Sequence, residues 1–169
     1  GNVSSQFISG LLFAAPLAKE DIKITLSTPL ESKPYVEMTL KILEKHGIHV
    51  SVSNDRRLFF IPSNQFYKPF NHDVPGDYSS ATFLLVAAAL TKSQIKVKGL
   101  KDAELQADSA IINVLKEMGI QIKVGENYVE VSSEAELNGV EFDAKNTPDL
   151  VPALTVLGCF AKGETKILN

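Results

Sequence analysis

Three short lysine-bearing segments recur along the chain at nearly equal spacing, and this repeat limits the possible fold more than any other feature. Residues 18–25 read AKEDIKIT, residues 91–98 read TKSQIKVK, and residues 161–168 read AKGETKIL. Their first lysines, Lys19, Lys92 and Lys162, are 73 and 70 residues apart (92 − 19 and 162 − 92). Before each lies an apolar stretch with small residues mixed in: residues 7–18 (FISGLLFAAPLA), 82–90 (TFLLVAAAL) and 150–161 (LVPALTVLGCFA). Such stretches predict helices buried on most faces. The alternating IKIT, IKVK and TKIL runs predict half-buried strands.

The next elements repeat too. Residues 35–46 and 107–118 have amphipathic helical spacing, and Gly47 and Gly119 follow them where a C-cap glycine belongs. Alternating strands are predicted at 48–52 and 120–124, with partners at 58–61 and 128–131. The unit therefore reads helix, strand, helix, strand, strand. A leading strand is expected at Asp73-Val74 and at residues 140–142. The third copy stops after its first strand, which gives the expectation that the chain is cut from something longer. The absence of an initiator methionine at Gly1 points the same way.

Composition narrows the class. The 169 residues are 44% hydrophobic and 22% charged, the balance of a globular protein with a sizeable core. A net charge of −3 and the lack of a basic-aromatic stripe argue against a nucleic-acid partner. No apolar run is long enough to span a bilayer, and the start lacks a signal peptide's basic region. Cys159 cannot form an internal disulfide, fits a reducing compartment, and reads as a small buried hydrophobe. His46, His49 and His72 form no metal-ligand pattern with it and read as surface or turn residues. No Walker-type or dinucleotide-binding glycine pattern occurs.

Several residues could bind an anion or move a proton. Ser4, Ser5 and Gln6 precede the first apolar helix, where hydroxyls, free N–H groups and the helix dipole can hold a phosphate without a cation. Simple N-capping by serine explains them as well. Ser79 and Ser80 stand in the same place in the second unit, with Asp77 or Ser79 as the cap. One serine pair is thus functional and the other structural, or both are caps. Ser32 is a plausible N-cap ahead of Pro34, with Tyr35 beside it. Asp149 opens the third apolar helix, where capping or a proton-accepting role are both open.

In order and spacing, GNVSSQFISGLLFAAPLA, ESKPYVEMTLKILEKHGI, VPGDYSSATFLLVAAAL, LQADSAIINVLKEMGI and NTPDLVPALTVLGCFAKGETKI resemble the 5-enolpyruvylshikimate-3-phosphate synthase family across essentially the whole chain. The resemblance implies an α/β (α+β) fold of repeated βαβαββ units, the enolpyruvyl transferase fold, here incomplete. Residues 1–73 would be the last part of one domain, and 74–169 one unit of the second domain plus a truncated next unit. The implied activity is transfer of the enolpyruvyl group of phosphoenolpyruvate to shikimate 3-phosphate, in the cytoplasm, by a monomer using no cofactor or metal. Ser4, Ser5, Gln6, Ser32, Tyr35 and Asp149 would contact shikimate 3-phosphate. Gln6 would also approach phosphoenolpyruvate, and Asp149 would accept the proton.

Two positions depart from the family pattern: Gln106-Ala107-Asp108 stands for Gln-Gly-Asp, and Pro75 for an acidic residue. The family's lysine-serine-arginine cluster would precede Gly1, and its lysine-glutamate-x-aspartate-arginine segment would follow Asn169. The chain alone is therefore expected to be inactive. A transferase acting on UDP-N-acetylglucosamine and a catalytically idle binding or folding module are the competing readings.

Overall fold

The computed structural model describes residues 1–101, 103–134 and 136–169. The chain forms two compact units, Gly1–Asp73 and Val74–Asn169.

In the first unit, α1 (Ser5–Ala14) runs through a 3-10 turn into β1 (Ile22–Thr25). Then come α2 (Lys33–Lys45), β2 (Ser51–Val52) and β3 (Leu58–Ile61). The sheet order is β1-β3-β2, antiparallel throughout. The second unit repeats the plan with α3 (Tyr78–Leu90), β4 (Gln94–Lys98), α4 (Ile111–Glu117), β5 (Gln121–Gly125) and β6 (Tyr128–Ser132). Its sheet order is β4-β6-β5, again antiparallel. The registers correspond: Phe59 faces Ile24 and Val52, and Val129 faces Val97 and Val124. The unit then adds β7 (Glu141–Asp143), α5 (Val151–Phe160) and β8 (Lys166–Leu168), with β7 and β8 parallel as a helical crossover requires.

The predicted cap glycines act as expected. After α2, Gly47 has φ +76° and the Ile48 N–H reaches back to the Leu43 carbonyl at 2.9 Å. After α4, Gly119 has φ +97° and the Ile120 N–H reaches Leu115 at 2.9 Å. Both are Schellman endings, and in each the isoleucine and leucine are buried in the unit's core.

Four expectations are corrected. The strand predicted over 48–52 pairs only at Ser51–Val52. At His49 the side-chain amide of Gln65 replaces a partner strand, accepting from the His49 N–H at 2.7 Å and donating to its carbonyl at 3.0 Å. Asp73-Val74 forms no strand; Val74 is exposed and Pro75 follows without a donor N–H. Of the apolar helices, α1 and α5 bury one face rather than most, whereas α3 is buried on most of its surface, through Tyr78, Ala81, Thr82, Leu85, Val86, Ala88 and Ala89. Ile8 and Leu12 of α1 are buried, while Phe7 and Leu11 are 68% and 54% exposed. Phe83 and Leu84 of α3 and Val156 and Phe160 of α5 are likewise exposed. Cys159 is exposed, not buried. The packed face of α5 is Ala153, Leu154 and Leu157, and two residues further on points the other way around the helix.

The histidines lie where turn or surface residues were expected. His46 Nδ1 donates to the Lys68 carbonyl at 2.9 Å, and His49 and His72 are exposed.

Candidate functional site

The N-terminal ends of α1 and α2 lie together. Ser9, on the second turn of α1, shares a 2.7 Å hydrogen bond with Thr39, on the second turn of α2; Thr39 also bonds the Tyr35 carbonyl at 3.0 Å. The chain ahead of α1 touches the chain ahead of α2, where the Glu31 N–H donates to the Gly1 carbonyl at 3.1 Å. Contacts at both levels make the helices run side by side in the same direction. Ser4, Ser5 and Gln6 therefore share one end of this helix pair with Ser32 and Tyr35. No local sequence pattern signals the Ser9–Thr39 pair, because its members are thirty residues apart in the chain.

Ser4 caps α1: its Oγ accepts from the Gln6 N–H at 3.2 Å. A serine hydroxyl that accepts one bond keeps its own O–H to donate, so capping and anion binding are compatible at Ser4. Ser5 is half-buried and Gln6 exposed. Neither α1 nor α2 carries an acidic residue in its first turn, so both positive dipole ends face no carboxylate of their own.

Ser32 is not the side-chain cap the sequence suggests. It occupies the N-cap position of α2 with φ 50°, ψ 41°, and its hydroxyl makes no capping bond. A side chain caps from extended backbone; left-handed backbone aims the hydroxyl elsewhere. Holding a non-glycine residue there costs about 1–2 kcal/mol, and such outliers concentrate at ligand-binding positions. Pro34 lies in the first turn as predicted.

The second serine pair differs. Asp77 caps α3, accepting from the N–H groups of Ser79 (3.2 Å) and Ser80 (2.9 Å) and from the Ser80 hydroxyl at 2.5 Å. Burial opposes the charge on Asp77, but the Ser80 hydroxyl and the two N–H groups outweigh it and hold the carboxyl below its ordinary range. The helix end is thus filled by the chain's own carboxylate, which repels a second anion. Ser79 and Ser80 are thus tied to the Asp77 cap, while Ser4 and Ser5 stand at a helix start with no carboxylate in its first turn.

Asp149 belongs to the second unit, in the 3-10 turn Pro148–Leu150 that leads into α5. It is exposed, and among the described residues no hydrogen bond or ion pair reaches its carboxylate. No side chain caps this turn or α5, so capping does not account for Asp149. Asp108 lies in the 3-10 turn Ala107–Ala110 and is buried. Among the described residues no group of three or more His, Cys, Asp or Glu is placed to hold a metal. Ser4, Ser5, Gln6, Ser32, Tyr35 and Asp149 line neither of two grooves elsewhere, one of about 390 Å³ at α2 and β2, around Leu40, Ile48, His49 and Val52, and one of about 370 Å³ on the open face of β4-β6-β5, around Gln94, Lys123 and Glu130.

The duplicated unit and its sheet order are those of the enolpyruvyl transferase fold. EPSP synthase from Acinetobacter baumannii has the same fold, with a TM-score of 0.69 at 22% identity, covering 98% of this chain and 38% of that one. The chain belongs to the EPSP synthase (3-phosphoshikimate 1-carboxyvinyltransferase) family, whose model matches residues 1–169. It is 47% identical over 169 residues to the 3-phosphoshikimate 1-carboxyvinyltransferase of Methanocaldococcus jannaschii. It is 48% identical over 172 residues to that of Methanococcoides burtonii. All of this chain is covered in both comparisons, but only 39% and 40% of those relatives. Among the described residues no helix is long and apolar enough to cross a membrane.

Proposed function

We propose that the protein of which this chain is a part transfers the enolpyruvyl group of phosphoenolpyruvate to the 5-hydroxyl of shikimate 3-phosphate, a cytoplasmic step of aromatic amino-acid biosynthesis. The observation that carries this reading is the pair of co-directed helix ends in the first unit. Two dipole ends whose first turns carry no carboxylate lie together, with the hydroxyls of Ser4, Ser5 and Ser32 and the amide of Gln6 at those ends, which suits a phosphate. Tyr35 adds a polar-tipped ring at the same end. These are also the positions that match the family's shikimate-phosphate motifs, and Gln6 is assigned phosphoenolpyruvate as well.

In the reaction the acceptor oxygen bonds to the enolpyruvyl carbon, phosphate leaves, and the acceptor's proton must be taken up. Asp149 is assigned the shikimate ring hydroxyls and this proton, by its match to the family motif and by its unengaged carboxylate. Residues 1–73 are read as closing one domain, and 74–169 as part of a second. The protein acts as a monomer and needs neither nucleic acid nor membrane.

The test is phosphate release by the full-length protein with phosphoenolpyruvate and either shikimate 3-phosphate or UDP-N-acetylglucosamine. Shikimate 3-phosphate should support turnover of about 1 per second or more, and the sugar nucleotide far less. The chain alone should be silent. Phosphoryl and carboxylate charge at close quarters needs Lys or Arg clamps, and the assigned residues are neutral donors and one carboxylate. Preference for the sugar nucleotide would overturn the acceptor assignment, and turnover by the chain alone would overturn the incomplete site.

A further inference from the structure

Ser32 sits in left-handed backbone in a loop that must be held from outside, and the ties that hold it are specific. At the loop's start the Arg57 guanidinium donates to the Leu26 carbonyl through Nε (3.3 Å) and Nη2 (3.2 Å), and to the Ser27 carbonyl at 2.9 Å. In its middle Thr28 and Asn2 bond reciprocally. Thr28 Oγ1 accepts from the Asn2 N–H at 3.1 Å and donates to Asn2 Oδ1 at 3.0 Å. At its end the Glu31 N–H donates to the Gly1 carbonyl. A Cβ on Gly1 would fall 2.4 Å from the Pro29 carbonyl oxygen, so these two stretches of backbone touch. Asn2 is two residues from Ser4, and Thr28 four from Ser32, so one side-chain pair bridges both serine-bearing segments.

We infer that Asn2 and Thr28 are positioning residues: their reciprocal pair sets the distance between the Ser4–Ser5 and Ser32 hydroxyls, and with it the affinity for a phosphate monoester. This rests on the proposed seat of shikimate 3-phosphate at the two helix ends. Neither residue needs to touch substrate. The pair fixes in advance a spacing that a ligand would otherwise have to impose, and preorganisation appears as binding strength rather than as turnover.

Thr28→Val keeps the shape and removes both bonds; Thr28→Ser keeps both. In the ligand-free full-length protein, hydrogen exchange at the Glu31 amide should quicken about 5- to 30-fold in Thr28→Val, and stay near wild type in Thr28→Ser. The dissociation constant for shikimate 3-phosphate should rise by a similar factor in Thr28→Val, with turnover at saturation within about twofold. Adding Asn2→Ala to Thr28→Val should cost little more, because the partner is already gone. Should Thr28→Val fail to fold, Asn2→Ala removes the Thr28-to-Oδ1 bond alone, keeps the backbone N–H bond, and should show a smaller change in the same direction. Unchanged exchange and affinity, equal losses in Val and Ser, or multiplying losses in the double variant would each overturn the latch. Ser5→Ala separates the two readings: if it leaves binding untouched the phosphate seat is wrong, while exchange in Thr28→Val still reports on the latch.

Discussion

At the residue scale, two aspartates at helix starts do opposite things. Asp77 is engaged by two N–H groups and a hydroxyl, so its loss is a loss of stability. Asp77→Ala should lower the stability of the chain by about 1 kcal/mol at neutral pH, the usual worth of an N-cap. Because folding depresses this carboxyl's pKa, its contribution is full above the unfolded value of about 3.9 and is lost as pH falls through the lower folded value. The gap in unfolding midpoint between wild type and Asp77→Ala should therefore narrow in acid, and a gap constant with pH would contradict the assignment. Asp149 is unengaged, so its loss should show in chemistry. In the full-length protein, on the proposed function, Asp149→Asn should cut turnover by about 10²–10⁴-fold, the range of general base catalysis, with the melting temperature unchanged. Turnover within a few-fold of wild type would send the proton elsewhere.

At the element scale, the sequence showed most of what local chemistry decides. The glycines after α2 and α4, the proline in the first turn of α2 and the alternating strands are signals within a few residues, and these elements formed, the one over 48–52 only at Ser51–Val52. What was not legible depends on distant partners. The Gln65 amide that stands in for a partner strand at His49 and the hydroxyl pair joining α1 to α2 both come from residues remote in sequence, and the left-handed backbone of Ser32 has no local glycine to signal it. Capping at α1 and α3 looked alike in sequence, and the difference emerged only when Asp77, not Ser79, took the cap. The glycines give a prediction of opposite signs. Gly47→Ala and Gly119→Ala place a side chain at φ +76° and +97° and should each destabilise by about 1–2 kcal/mol. Gly10→Ala, inside α1 with nothing within 4 Å of the new Cβ, should stabilise the chain by about 0.5–1 kcal/mol. Chemical denaturation of the three variants checks both signs.

At the scale of the whole molecule, the repeat seen as lysine cassettes is a repeat of structure. Both units carry the same element order and antiparallel sheet, and a third begins with a parallel strand pair around α5. Evolution of function within such a repeat needs only one helix end to be left open. In the second unit Asp77 closes it, while in the first Ser4 caps with an oxygen that can still donate. The competing place for an anion is the open face of β4-β6-β5, where Lys96 lies 3.8 Å from the centre of the Tyr128 ring and Lys123 is a near neighbour. That face also holds Glu130, whose carboxyl is kept below its ordinary range mainly by the Gln94 amide, with Lys96 adding to it, so its negative charge persists at neutral pH. Amide chemical shifts of the full-length protein, followed during titration with shikimate 3-phosphate, choose between the two places. The account predicts the largest saturable shifts within the two units at Ser4, Ser5, Gln6 and Ser32, abolished in Ser5→Ala. Shifts centred instead on Lys96, Lys123 and Glu130, with residues 4–6 and 32 silent, would contradict it.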